Sequence, residues 1–156
     1  MKGLILLITL LHGIPASADF LNCPCKVVEI TGGDTVHVLD QSTTKHKIRL
    51  GGIDAPEKKQ PFGNQSRQNL SGLIAGKNIE IEYNKRDRYG WIIGKLIYQG
   101  QDINLLQIKH GYAWHYKRDQ SPLDRTLYSS AEIVARAQTI GLWSRPAIPP
   151  WKFRGK

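Results

Sequence analysis

The chain has 156 residues, with 22 Lys and Arg against 13 Asp and Glu, for a formal net charge of +9. Its length suits one domain of roughly 100–200 residues, and 40% hydrophobic with 22% charged residues excludes collagen-like, disulfide-scaffold and fully disordered chains. The cationic surplus attracts polyanions, whether nucleic acid, anionic lipid heads or acidic glycans, and charge alone does not choose among them.

The first 18 residues read as a signal peptide. Lys2 supplies a positive start, Gly3 to Leu11 an apolar core, and Ala16-Ser17-Ala18 a small-x-small cleavage site before Asp19. The apolar run is about half of the roughly 20 residues needed to span a bilayer. Removing these 18 residues and their one lysine leaves 138 residues at +8, a single domain over 19–156 that is exported to the periplasm or beyond. Cys23 and Cys25 flank Pro24, and this spacing leaves a local or intermolecular disulfide, free thiols, and metal or lipid attachment all open.

Two β-branched runs, Lys26 to Ile30 and Thr35 to Leu39, are separated by the turn Thr31-Gly32-Gly33-Asp34. A polar turn over 40–44 leads to an alternating strand, Lys45 to Leu50, completing a three-strand meander. Phe62, Ser66, Leu70, Leu73 and Ile74 then recur at helical spacing up to Gly76. Strands return at Ile79 to Tyr83 and Trp91 to Tyr98, around a charged turn from Asn84 to Gly90. A short helix over Asn104 to His110 is closed by Gly111.

A longer helix starts at Ser121, with Pro122 at its first position and Asp124 facing its positive end. Leu127, Ala131, Val134 and Ala135 form its expected apolar stripe, and Gly141 ends it. The tail from about Arg145 holds three prolines, which argue against regular helix. The order of elements predicts an α+β chain, mainly β: a five-stranded barrel of the OB type with about three packed helices.

The densest chemistry lies between Asp34 and Glu57. In a meander, Asp34 and Asp54 converge at one end of the barrel, and two carboxylates with carbonyls and waters suit a hard cation such as Ca²⁺. Glu57 is placed to hold or deprotonate a water. Arg49 offers a planar fork for phosphate oxygens. Metal, base and arginine together describe phosphodiester hydrolysis.

These residues also carry a resemblance. Gly33-Asp34-Thr35, Arg49-Leu50 through Ile53-Asp54-Ala55-Pro56-Glu57, and Asp87-Arg88-Tyr89-Gly90 resemble three signature segments of the staphylococcal (micrococcal) nuclease family. Gly141-Leu142-Trp143 is similar to the segment ending that family's last helix, so the likeness runs in order from about Lys26 to Trp143. It implies an OB barrel and a Ca²⁺-dependent nuclease acting on DNA and RNA, single-stranded or loosely paired, and leaving 3′-phosphates. Asp34 and Asp54 would be carboxylate ligands, with the Ala55 carbonyl completing the metal site. Glu57 would act on the attacking water, and Arg49 would bind phosphate. Arg88 and Tyr89 would touch a neighbouring phosphate.

The chain departs from the family at two places. Gly32 stands where an acid usually precedes Gly-Asp-Thr, and Trp91 where an arginine binds the scissile phosphate. Indole has one neutral N–H and no charge, so the resemblance implies a weakened catalyst. Lys95 shares a strand face with Trp91 but lies about 13 Å further along.

Trp114 and Tyr116 offer either base-stacking faces or core packing. His37, His46, His110 and His115 lack ligand spacing, Trp143 and Trp151 read as packing residues, and Lys58-Lys59 as a solvated loop. Competing with a monomeric enzyme are a catalytically weak nucleic-acid-binding module of the same fold and an exported adhesive protein using its basic face. The second gives no reason for Asp, Arg, Asp and Glu at these spacings.

Overall fold

A computed structural model describes Leu21, residues 23–118 and residues 120–155, the side chain of Asn84 apart. The expected signal peptide lies outside the described residues. Strands β1 (Cys25–Gly32), β2 (Thr35–Leu39) and β3 (Lys45–Leu50) form the expected antiparallel meander. β4 (Ile53–Asp54) is followed by helix α1 (Gly63–Ile74), then β5 (Asn78–Arg86) and β6 (Ile92–Tyr98). β7 (Gln101–Asp102) leads into α2 (Ile103–Lys109), and β8 (Trp114–His115) precedes α3 (Pro122–Ala137). A 3-10 turn over Gly141–Ser144 and the one-turn α4 (Pro150–Phe153) end the chain.

The sheet order is β3-β2-β1-β5-β6, and a parallel pairing of β3 with β6 joins its two edges. That closure makes the predicted five-stranded barrel, with β7 added beside β6. Closure leaves the barrel strands without free edges. Alternation does the rest. Val36, Val38, Ile48, Leu50, Ile92 and Leu96 point inward and are buried, as the period-2 pattern requires. Leu70 and Ile74 of α1 and Ile103 and Ile108 of α2 extend the same core.

Three local expectations change. β5 runs on to Arg86 through a bulge between Tyr83 and Lys85, so the turn is shorter than 84–90. α3 keeps its cap, with the Asp124 N–H donating to Ser121 Oγ at 3.1 Å. Its inward face, however, is Tyr128, Ala131 and Ala135, while Leu127 and Val134 are exposed. Tyr128 wins the core position because its ring is buried while its hydroxyl reaches Asp102 Oδ2 at 2.8 Å. Finally, the tail is not wholly irregular: Pro150 occupies a first helical position, where a missing N–H costs nothing. Cys23 and Cys25 form a disulfide.

Candidate nuclease site

Asp34 sits in the turn joining β1 to β2, and two backbone constraints bring it to Asp54. Thr35 pairs with Arg49 across β2 and β3, and the Leu50 N–H donates to the Asp34 carbonyl at 2.8 Å. Gly33 packs so tightly that an added Cβ would fall 1.8 Å from Ser66 Oγ and 2.8 Å from Ala55 Cβ. Only glycine admits that approach. Asp34 Oδ2 then accepts from the Ala55 N–H and Oδ1 from Thr35 Oγ1, both at 2.9 Å.

Burial pushes the Asp34 carboxyl above its usual range, and the Asp54 charge adds to that push. The Ala55 and Thr35 hydrogen bonds and the Arg49 guanidinium act against it. The two acids therefore converge as predicted.

Asp54 is held from the other side. β4 pairs with β8, setting Asp54 opposite Trp114, and the Tyr116 N–H donates to the Gly52 carbonyl at 2.8 Å. Its side chain is 1% exposed. Arg49 Nη2 lies 3.9 Å from Asp54 Oδ1, with the arginine side chain 37% exposed toward solvent. Glu57 follows in the loop to α1, 42% exposed. Gly63 allows this loop to fold onto the helix start, since a Cβ there would meet the Glu57 carbonyl oxygen at 2.1 Å. Arg49, Asp54 and Glu57 thus gather with Asp34 at one end of the barrel.

Asp34 and Asp54 fit a hard cation in donor type: a half-buried and a buried carboxylate close enough to repel. Among the described residues, no group of three or more His, Cys, Asp or Glu is arranged for a metal. Any cation there would complete its shell with carbonyls, such as that of Ala55, and water. His46 meets Asp40 at 2.8 Å and His115 meets Gln120 at 2.7 Å.

The Asp87–Trp91 turn is built by its own acid. Asp87 Oδ1 accepts from the N–H groups of Tyr89 and Trp91 at 2.8 and 2.9 Å, and Gly90 takes a φ of +81°. Arg88 and Tyr89 project into solvent, with the guanidinium 4.9 Å from the ring centroid. The Trp91 ring lies under Lys47 Nζ, 3.4 Å from its centroid, and 5.5 Å from Tyr89. Lys95 does not compensate, because Asp124 at 2.7 Å, Glu82 at 3.9 Å and Asp102 at 4.0 Å surround it.

The two aromatic candidates part company. Trp114 is 2% exposed and packs edge-on against Trp143 at 5.2 Å, so its stacking role is corrected to packing. The cause is its β8 pairing directly under Asp54. Tyr116 is half-buried and sits 6.1 Å from Trp151, which is exposed rather than packed into the core.

Sequence reasoning missed three residues. Gln107 is fully buried, and its Nε2 donates to the Gly33 carbonyl at 2.7 Å and the Ser66 carbonyl at 3.1 Å, tying the Asp34 turn to α1. Asn104 similarly donates to the Gly51 and Gly94 carbonyls at 2.9 and 3.0 Å. Arg154, just after α4, donates to both oxygens of Asp54 and to Glu57. Proline-rich composition concealed that residue, since nothing local shows where such a tail lands.

With this geometry in place, comparison with known proteins gives it a lineage. The family model described as "Staphylococcal nuclease homologue" matches residues 47–145. A protein named "Micrococcal nuclease" from Shigella flexneri is 38% identical over 157 residues, covering 94% of this chain and 87% of its own. An "Uncharacterized endonuclease" of Haemophilus influenzae is 40% identical over 132 residues, covering 83% and 72%. "Staphylococcal-like nuclease CAN1" of Arabidopsis thaliana is 35% identical over 111 residues, 70% of this chain and 33% of that one. The chain belongs to the staphylococcal nuclease family.

Proposed function

We propose that this protein is an exported, Ca²⁺-dependent nuclease that hydrolyses phosphodiester bonds of DNA and RNA. One observation carries the reading: Asp34, Arg49, Asp54 and Glu57 come from separate segments and meet at one end of a basic barrel. Packing alone gives no reason to bury Asp54 beside a second, half-buried acid, since a buried charge costs several kcal/mol to desolvate.

Asp34, Asp54 and the Ala55 carbonyl would hold the cation. When bound, Ca²⁺ would polarise a phosphate oxygen and supply positive charge to the transition state. Arg49 would bind non-bridging oxygens of the phosphate and fix its orientation. Glu57 would take a proton from the attacking water onto a carboxylate oxygen. Attack on phosphorus with cleavage of the bond to the 5′ oxygen leaves a 3′-phosphate and a 5′-hydroxyl, whose proton comes from solvent. Arg88 and Tyr89, both exposed, would meet a neighbouring phosphate, and Tyr116 a base.

The residues before Asp19 support export, and among the described residues no helix is long and apolar enough to cross a membrane. A second reading, a weak or inactive nucleic-acid-binding module, is favoured only by the uncharged Trp91. Digestion of single-stranded DNA by protein lacking residues 1–18, in Ca²⁺ and in chelator, separates the two. The enzyme reading predicts Ca²⁺-dependent fragments that Glu57→Gln suppresses. Tight DNA binding without fragments would establish the module instead.

A further inference from the structure

The geometry points to Arg154 as a phosphate-binding residue of this site, a guanidinium delivered by the tail from the far end of the chain. The inference rests on the nuclease reading and adds a residue to it. Arg154 Nη1 donates to Asp54 Oδ1 at 3.1 Å and Glu57 Oε1 at 2.7 Å, and Nη2 donates to Asp54 Oδ2 at 2.7 Å. A guanidinium has five N–H donors, and these three contacts use the end carrying Nη1. Among the described residues no partner takes the Nε hydrogen or the remaining Nη2 hydrogen. Those two donors lie on one edge, the parallel fork that matches two oxygens of a phosphate.

Position and charge agree with that role. The side chain is 42% exposed, so the group is held by two acids without being sealed from a ligand. Arg49 also approaches Asp54, 3.9 Å from its Oδ1. Asp34, Asp54 and Glu57 carry three negative charges and the two arginines two positive ones. A divalent cation and one phosphodiester then bring the formal total to zero; without Arg154 the filled site would keep a net negative charge that opposes a polyanion. Trp91 supplies no such charge. An ionised carboxylate has about four lone-pair sites, so Asp54 can serve a guanidinium and a cation together.

Four proteins test this: unchanged protein, Arg154→Ala, Arg154→Lys, and Arg154→Ala combined with Trp91→Arg. The first readout is affinity for a nucleoside 3′,5′-bisphosphate at saturating Ca²⁺, with Ca²⁺ affinity measured separately and a melting curve to confirm folding. The second is kcat on single-stranded DNA. Arg154→Ala should weaken bisphosphate binding at least tenfold and lower kcat about 10²–10³-fold, the usual scale for one preorganised donor. Arg154→Lys, a point charge without the fork, should restore only part of both, and Trp91→Arg in the Arg154→Ala background should restore more.

If Arg154→Ala changes Ca²⁺ affinity but not bisphosphate affinity, Arg154 merely braces Asp54 and the inference is overturned. A faster Arg154→Ala enzyme would overturn it too, by making the tail a plug. An unchanged protein that binds bisphosphate through Arg154 yet cleaves nothing would defeat the nuclease reading and leave this inference standing.

Discussion

Two regions could place a second guanidinium at the site, and they differ in how each is tied to the barrel. The Asp87–Trp91 turn is a local structure, closed by one acid on its own N–H groups. It ends in a neutral ring lying beneath Lys47, which sits two residues before Arg49 on β3 and shares its strand face. The C-terminal tail has local order only in the single turn of α4. It reaches the site through contacts with distant residues: the buried Gln60 donating to the Ile148 carbonyl, the buried Pro150, and Arg154 on Asp54 across 100 positions. Between them, Gln60, Phe62, Trp114, Arg145, Ile148 and Phe153 line a cavity of about 190 Å³. A cation can therefore be lost from a signature segment and supplied by a segment that carries no signature.

The largest effect should come from the barrel's own arginine. Arg49→Ala should lower kcat about 10³–10⁵-fold, the range for a transition-state arginine in phosphoryl transfer, while Ca²⁺ affinity changes little. A loss below tenfold in single-turnover cleavage would move the chemistry to the tail alone.

Trp91→Arg sharpens the comparison from the other side. With Arg154 in place, a second fork at position 91 is largely redundant, and kcat should rise by less than about tenfold. A rise of about 10² or more, the value of a missing donor, would show that the tail does not compensate and that the unchanged protein is a weak catalyst.

The contrast between the regions also marks what could be read from sequence. Asp34, Arg49, Asp54 and Glu57 were legible because turns, strand alternation and a stiffening proline place them within 24 positions. The α3 cap was legible for the same reason: Ser121, Pro122 and Asp124 act on each other directly. The inward face of α3 was not, since Tyr128 gains its place through Asp102, 26 positions away. Gln107 and Asn104 bond to backbone carbonyls, which have no residue identity to recognise. Arg154 combines both difficulties, being distant and preceded by a stretch whose prolines suggest only what it cannot form.

A smaller effect should follow at Gln107, which anchors the Asp34 turn. Gln107→Ala leaves the buried Gly33 and Ser66 carbonyls without this donor and should cost about 1–3 kcal/mol for each group left unsatisfied. Thermal unfolding measures that loss, and Ca²⁺ binding should weaken with it because Asp34 moves with Gly33. Unchanged Ca²⁺ affinity in a destabilised Gln107→Ala protein would separate the turn's position from the metal site.

The smallest effect serves as a control away from both regions. Asp40 is held below its usual carboxylate range, chiefly by its hydrogen bond with His46 and then by the Thr44 N–H. A depressed folded-state pKa contributes stability above the unfolded value, which is lost as pH falls through the folded one. Asp40→Asn should therefore lower the melting temperature slightly near neutral pH, with the difference closing well below pH 4 and activity unaffected. A difference that persists undiminished in acid would remove the charge from the explanation.

The carboxylate pair is the common base of every step, and a Ca²⁺ titration read by melting temperature tests it most directly. Selective binding to the folded protein must raise the transition. The unchanged protein should show a saturable rise that Asp54→Ala abolishes. An equal rise in Asp54→Ala would place the cation elsewhere and contradict the site described here.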